Sequence, residues 1–297
     1  MDLRQLKYFI TVVQEKNYSK AAKILHISQP SLSNAIMKLE HEVGMKLLER
    51  NTRGLFLTEA GNIYYLRAKE LLRKFDNTLR ELDEMKKVGN GKICVGLIES
   101  SKFWFPEVVK NFKETYPPVH FKIREILGHD QVIDSLIHHD VHFSITNQPI
   151  NDKEIILTPI YEENLVLLTH IEDELNRKES ISLEDLADKD FIISTTGFQT
   201  RENVLYAFKT EKVNPNIMFE IERLETACSL IEQGLGVTIL PESYIKYTNH
   251  PSITTHTIKS DLLKRTVYLA RLKDRYLSPA VYDLIHMVES FFNSSKQ

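Results

Sequence analysis

Residues 19–40 read SKAAKILHISQPSLSNAIMKLE, and the reading of the whole chain turns on them. Ala21, Ala22 and Leu25 share one face of a short helix, which meets a turn at His26-Ile27-Ser28. Ser28 suits the N-cap of a second helix because its hydroxyl can accept an orphan N–H of the first turn. Pro30 then falls where a missing N–H costs nothing. Leu32, Ile36, Leu39 and Val43 recur at spacings of four, three and four, which turns one stripe toward a core. The opposite face carries Pro30, Asn34, Met37, Lys38 and His41, with Ser31 and Ser33 on its shoulders. A small-residue helix crossed by a second helix with a short, hydrogen-bonding outer face reads as a helix-turn-helix, whose second helix enters a major groove.

The flanking segments extend that reading. Leu3, Leu6, Phe9, Ile10 and Val13 form the apolar face of a preceding helix. After Gly44, the apolar runs Leu47-Leu48 and Leu55-Phe56-Leu57 flank Asn51-Thr52-Arg53-Gly54, a hairpin pattern that would stand beside the helices as a wing. Arg53 at its tip and Arg50 at its base could reach phosphates or the adjacent minor groove. An ordinary solvated turn is the plain alternative. Thr58 is placed to cap a long helix running to about Lys87. In it Tyr65, Ala68, Leu72, Phe75, Leu79 and Leu82 follow a heptad seam. Such a helix, ~45 Å long at 1.5 Å per residue, needs a partner for its seam. A second copy of the chain is the simplest one, and docking on its own domain is the alternative.

Composition sets outer limits. A chain of 297 residues is too long for one ordinary core, so two or three domains are expected. The 42% hydrophobic and 27% charged content is ordinary for a globular protein. No run approaches the ~18 apolar residues of a membrane span. The N-terminal MDLRQLKYFITVV lacks the pattern of a signal peptide. With only Cys94 and Cys228, a disulfide framework or a structural zinc site is not expected, and a cytoplasmic setting is. Residues 1–88 carry 16 Lys+Arg against 11 Asp+Glu, whereas the remainder carries 22 against 30. A basic first third on an acidic body suits a protein whose N-terminal part alone meets a polyanion.

Val88-Gly89-Asn90-Gly91 breaks the long helix like a hinge, and strands then alternate with helices. Strands are expected at Lys92–Leu97, Val119–Glu125, Phe143–Thr146, Ile155–Tyr161, Leu165–Thr169, Phe191–Ser194, Ile217–Ile221, Val237–Leu240, Ile253–Thr257 and Val267–Leu272. Helices are expected at Trp104–Tyr116, Asp130–His138, Thr200–Glu211, Leu224–Gln233 and Pro279–Phe292. The alternation implies βαβ units in two lobes, about 89–163 and 164–266, with 267–297 returning to the first and two crossing strands as the hinge.

The segment from Leu3 to Gly61 strongly resembles the LysR-type family of bacterial transcription regulators. Phe9, Ala21-Ala22, Leu25, Ser28-Gln29-Pro30-Ser31-Leu32-Ser33, Ile36, Leu39-Glu40, Gly44, Leu47, Arg50, Leu57-Thr58 and Ala60-Gly61 carry the resemblance in fixed order. Further on, Leu230-Ile231-Glu232-Gln233-Gly234-Leu235-Gly236-Val237 and Leu240-Pro241 look like the family's effector-domain signature, so the resemblance covers essentially the whole chain. Lys16-Asn17-Tyr18, Leu48 and Met37 depart from the usual residues; Met37 stands where a basic residue is frequent. The resemblance implies an α/β protein with a winged helix-turn-helix (1–58), a linker helix that dimerises (59–88) and a two-lobed, periplasmic-binding-protein-like effector domain (89–297). It also implies dimers or tetramers on imperfect palindromes in promoter DNA, a small-molecule effector, no resident cofactor and RNA polymerase among the candidate partners.

For DNA the expected contacts are Gln29, Pro30, Ser31, Ser33 and Asn34 in the groove, with Lys38, Arg50 and Arg53 on phosphates or the minor groove. Ser31 and Ser33 could instead cap or solvate the helix. For the effector, loops at strand ends and helix N-termini nominate Ser100, Ser101, Asn147, Thr195, Thr196, Arg201 and Thr226, with Arg201 facing a carboxylate or phosphate. His138-His139-Asp140-Val141-His142 is read as a helix end favourable to His and not as a metal site. No nucleophile–base motif, phosphate loop or paired catalytic carboxylate emerges, so an enzyme is not expected. The competing reading is a cytoplasmic two-lobed small-molecule-binding protein without a DNA-directed role.

Overall fold

The computed structural model describes residues 1–51, 54–86 and 91–293, which form two compact units, Met1–Asp83 and Glu84–Gln297. The first holds α1 (Leu3–Glu15), α2 (Tyr18–Ile24), α3 (Gln29–Val43), the strands β1 (Leu48–Asn51) and β2 (Gly54–Leu57), and most of α4 (Glu59–Lys86). Local chemistry starts each helix. Asp2 and Gln5 form a reciprocal capping box on α1, and the Asn17 side chain accepts from Lys20 N–H at 3.0 Å on α2. The Ser28 hydroxyl accepts from Ser31 N–H at 3.2 Å on α3, and the Thr58 hydroxyl accepts from Gly61 N–H at 2.9 Å on α4. Caps of this kind contribute about 1 kcal/mol each. Gly44 ends α3 in the left-handed conformation that glycine adopts without a Cβ penalty.

Leu6, Phe9, Val12, Ala21, Ala22, Leu32, Ile36, Leu39 and Leu47 fill the core between these helices. Beside them β1 and β2 pair antiparallel, Asn51 opposite Gly54. The hairpin is held from below by Glu40, a buried carboxylate on α3. It accepts from Leu47 N–H at 2.9 Å, Leu48 N–H at 3.0 Å and the Lys46 ammonium at 2.7 Å. Gly61 closes the other side: a Cβ there would lie 2.0 Å from the Leu47 carbonyl oxygen, so no other residue fits without moving β1.

The long helix differs from the expected seam. Ala68 belongs to the helix-turn-helix core, and Tyr65 and Leu72 are half-buried against it. Only Phe75, Leu79 and Leu82 of the six positions are exposed, joined by Leu71 and Met85. The heptad spacing served two surfaces in succession, first the chain's own domain and then the solvent side. The expected hinge at 88–91 lies outside the described residues except for Gly91.

The second unit contains β3 (Lys92–Leu97), α5 (Phe105–Thr115), β4 (His120–Glu125), α6 (His129–Ile137), β5 (Phe143–Thr146), β6 (Ile155–His170), β7 (Asp190–Ser194), α7 (Gln199–Thr210), β8 (Asn216–Ile221), α8 (Leu224–Glu232), β9 (Thr238–Pro241), α9 (Glu242–Lys246), β10 (Ile253–His256), β11 (Lys264–Leu272) and α10 (Pro279–Asn293). Its main sheet runs β10-β6-β11-β5-β3-β4, with β9 also on β6, while β7 and β8 form a parallel pair joined toward β9 by a bridge between Phe191 and Val237. Two apolar clusters lie on opposite faces of the β3–β5 region, one under α5 and α10 and one under α6. Two more flank β7 and β9.

The runs 155–161 and 165–169 are one strand of 16 residues, not two. Glu162-Glu163-Asn164 interrupts the apolar pattern but not the backbone, because β11 pairs with this stretch, Asn164 opposite Lys264 and Glu163 opposite Arg265. The N-terminal half of β6 thus pairs with β11, and its C-terminal half pairs with β9 and β10. These are the two crossing strands that the sequence leads one to expect, β11 pairing with β5 and β6, and β6 continuing to β9.

Candidate nucleic-acid interface and ligand cleft

On α3 the burial of Leu32, Ile36 and Leu39 forces the opposite face outward, and Gln29, Pro30, Ser31, Asn34, Met37, Lys38 and His41 are exposed on it. Ser33 is half-buried on the shoulder. The Ser31 hydroxyl lies 2.7 Å from the Ser28 hydroxyl and so takes part in the cap, the alternative its position allowed. Among the described residues Lys38 has only a long contact of 3.9 Å to Glu42, which leaves its ammonium available to a phosphate. Arg50 lies on β1; Arg53 lies outside the described residues. Glu40 was missed as a functional support. Burial opposes its ionisation, but the Lys46 ammonium and the Leu48 and Leu47 N–H groups hold its carboxyl below the usual carboxylate range. Its position beside the Leu39 core stripe was the available signal.

In the second unit a cleft of about 570 Å³ is lined by Glu125, Leu127 to Gln131, Thr195 to Phe198, Glu222 and Arg223. Leu127 and Phe198 also wall a cavity of about 30 Å³ whose other walls include Ile98, Glu99, Ser100, Asn147, Ser194, Gln199, Thr200, Leu224 and Arg265. The loops after the parallel strands β3, β4 and β5 leave one side of their sheet, those after the parallel pair β7 and β8 leave one side of theirs, and the two sets meet here.

The organising side chain is Arg265, buried on β11. Its Nε donates to Glu163 Oε1 at 2.7 Å, with Nη2 in ion-pair contact with the same oxygen at 2.6 Å, Nη1 donates to the Thr200 hydroxyl at 3.1 Å, and Nη2 donates to the Ser100 hydroxyl at 2.8 Å. The Ser243 hydroxyl donates to the other oxygen of Glu163. One guanidinium thereby ties the loop after β3, the start of α7 and the strands β6 and β11 together. Sequence reasoning missed it because the last strand was started at Val267. Begun at Lys264, the period-two pattern puts a charged residue on the same inward face as Val267 and Leu269, which is the signal that could have found it.

At the cleft mouth Arg223 pairs with Glu125. Both carboxylate oxygens of Glu99 lie 3.4 Å from Leu224 N–H at the first turn of α8. Burial pushes the Glu99 carboxyl above the usual range, more than that bond lowers it. Behind this wall, burial pushes the Tyr161 hydroxyl up to about 12.

The expected ligand residues divide. Ser100 and Asn147 line the small cavity, and Thr195 and Thr196 line the larger cleft. Ser101 is fully buried behind the wall and lines neither. Arg201 is committed elsewhere: its guanidinium pairs with Glu220 of β8 at 2.6 Å and donates to the Ser194 carbonyl at 2.7 Å, so an ion pair within its own layer replaces the expected ligand contact. Thr226 is exposed on the first turn of α8 and lines neither space. In the His-rich stretch, His142 is buried and its Nδ1 accepts from Cys94 N–H at 2.9 Å, in place of a solvated helix end. No group of three or more His, Cys, Asp or Glu suited to a metal occurs among the described residues. Both cysteines are free, and burial pushes their thiols up, that of Cys228 to about 12. No described helix is long and apolar enough to cross a membrane.

Comparison with known proteins places this geometry. Residues 3–62 match the description "Bacterial regulatory helix-turn-helix protein, lysR family", and residues 86–293 match "LysR substrate binding domain". The HTH-type transcriptional regulator YybE of Bacillus subtilis is 28% identical over 295 residues, covering 99% of this chain and 100% of the relative. A full-length OxyR variant from Pseudomonas aeruginosa is 26% identical with a TM-score of 0.62, over 98% of this chain and 94% of the other. Full-length CbnR complexed with its target DNA shares the fold with a TM-score of 0.65 at 24% identity, over 97% of this chain and 99% of the other.

Proposed function

The chain belongs to the LysR family of bacterial transcription regulators, and on that premise we propose that it binds promoter DNA sequence-specifically, as a dimer or a dimer of dimers, under control of a small-molecule effector. The observation that carries the reading is the outer face of α3, exposed along its length and furnished with Gln29, Ser31, Asn34 and Lys38, while its inner face is buried. Gln29 and Asn34 amides are suited to bidentate pairing with adenine, and Pro30, Ser31 and Ser33 to close approach at base edges. Lys38, Arg50 and Arg53 are assigned to phosphates or the minor groove, fixing register and not sequence. Two copies joined through the exposed Phe75, Leu79 and Leu82 of α4 would present two reading heads to an imperfect palindrome. That arrangement supplies the affinity one small head lacks.

The effector is assigned to the cleft between the β3–β5 and β7–β9 layers, with Ser100, Asn147, Thr195 and Thr196 on its walls. The setting is the cytoplasm, no resident cofactor takes part, and RNA polymerase is the further partner through which bound protein acts. The family membership supports these assignments, and CbnR, a chain of the same fold, has been solved with its target DNA.

Gel shift against the DNA upstream of the chain's own gene, titrated with salt, tests the reading. Retarded complexes that tighten as salt falls, and that survive excess random duplex, are expected. Equal affinity for upstream and random DNA would overturn sequence-specific control. The Gln29→Ala variant should lose affinity only on the upstream site, and equal loss on both duplexes removes its assigned role.

A further inference from the structure

The cleft carries chemistry of both signs, distributed unevenly. At the inner end α7 begins without a side-chain cap among the described residues, and Phe198, Gln199 and Thr200 at its start line the cavity. The Thr200 hydroxyl already accepts from Arg265, which leaves its own proton to give. Asn147 lines the same cavity at 8% exposure, and its side-chain amide has no hydrogen-bond partner among the described residues. That amide opens on the cavity, so a ligand group there can take up its unused hydrogen bonds. These donors together suit an acid group.

The remaining walls are acidic. Glu99 faces the small cavity, and Glu125, Asp130 and Glu222 line the larger cleft. The two arginines on these walls are already matched, Arg223 by Glu125 and Arg265 by Glu163. A simple carboxylate would therefore enter a cleft with excess negative charge, and a simple amine would leave the donors of the inner end unused. The small cavity, at about 30 Å³, has room for roughly two small polar groups at ~10–15 Å³ each, while the adjoining cleft, at about 570 Å³, falls in the range of small-molecule sites.

We propose that the effector is a small amino acid-like zwitterion, its acid group held by Asn147, Thr200 and the first turn of α7, and its ammonium facing Glu99. The assignment rests on the reading of this cleft as the effector site. The environment of Glu99 agrees with it: burial raises this carboxyl more than the long bond from Leu224 N–H and the nearby Lys102 and Arg223 cations lower it, so a ligand cation beside it would be favoured.

The test is calorimetric titration of the full-length protein with the standard amino acids, their matching 2-oxo acids and their matching decarboxylated amines. At least one amino acid should bind about tenfold or more tightly than both of its matched analogues, since a site built for two polar groups rejects a ligand lacking one. Glu99→Gln should remove about tenfold in amino acid affinity and leave the 2-oxo acid within about twofold. Asn147→Ala, which breaks no bond within the described protein, should weaken the amino acid and the 2-oxo acid together and spare the amine. A melting temperature equal to wild type for each variant excludes misfolding as the cause. An amine-free acid that binds as tightly as its amino acid, or a Glu99→Gln variant with unchanged preference, overturns the ligand class and leaves the effector site standing. Binding by none of the three sets also overturns the class. A promoter footprint then unmoved by a whole-cell metabolite extract counts against the effector reading itself.

Discussion

The two units use polar side chains in opposite ways. On α3 the polar groups assigned to DNA stand in solvent, and apart from the capping Ser31 few of them are committed to partners in the protein. In the cleft of the second unit the polar groups are buried and cross-linked, with Arg265 joined to Glu163, Thr200 and Ser100. The first surface can be edited without loss of fold, because its energetics are settled only on contact with a partner. The second cannot, because removing one member leaves the others buried and uncompensated. The same class of residue is thus proposed as a reader in one unit and serves as a joint in the other.

The sharpest way to break that contrast is Arg265→Met. Breaking a buried ion pair on one side costs about 3–5 kcal/mol, and replacing both members with apolar residues recovers much of it. Urea unfolding should show a large loss for Arg265→Met and a smaller one for the double change Arg265→Met with Glu163→Leu. A single variant as stable as wild type would show that the joint carries no strain-bearing charge. Next is Gly61→Ala, whose Cβ would enter the Leu47 carbonyl. A loss of about 1–3 kcal/mol is expected in the first unit, together with weaker DNA binding through a displaced wing.

Glu40 is the exception that sharpens the comparison, a buried joint inside the reading head. Glu40→Ala leaves the Leu47 and Leu48 N–H groups without an acceptor and should cost about 1–3 kcal/mol. Its pH dependence follows from the lowered carboxyl. The stabilisation is fully present above the unfolded value near 4.5 and is lost as pH falls through the lower folded value. Thermal melts from pH 6 downward should therefore show a steeper acid loss in wild type than in Glu40→Gln. Parallel curves would mean that Glu40 is not held ionised. The smallest expected effect is Lys38→Ala, which should leave melting unchanged, weaken all duplexes alike and reduce the salt slope by about one.

Legibility in the sequence tracked the same divide. The helix-turn-helix lies in one continuous stretch, so its periodicity and its Ser28 cap exposed both faces of α3. The cleft is assembled from residues far apart along the chain. Ser100, Glu163, Thr200 and Arg265 meet only after two strands have crossed, and no local spacing announces that meeting. Arg201 was nominated for being a cation at a helix start, and only the register of β8 reveals that Glu220 claims it. The Tyr65–Leu82 repeat was legible as a stripe, but a repeat cannot say which surface covers it, and Ala68 went to the chain's own core. Likewise Glu162-Glu163-Asn164 looked like a break because pairing partners, absent from local sequence, decide whether polar residues end a strand.

The continuity of β6 bears on how the chain acquires its shape. Asn164 pairs with Lys264, so joining these strands closes a loop of roughly 100 residues, a slow event when the loop is unstructured. The C-terminal half of β6, with β9 and β10, needs only the inserted residues themselves. Once that inserted portion has folded, its two ends are held together and the remaining search is short. Pulse-labelled hydrogen exchange during refolding should protect Leu165–Thr169 before the amides of Lys264–Leu272. The order of assembly is thereby written into where one strand begins to serve its second sheet.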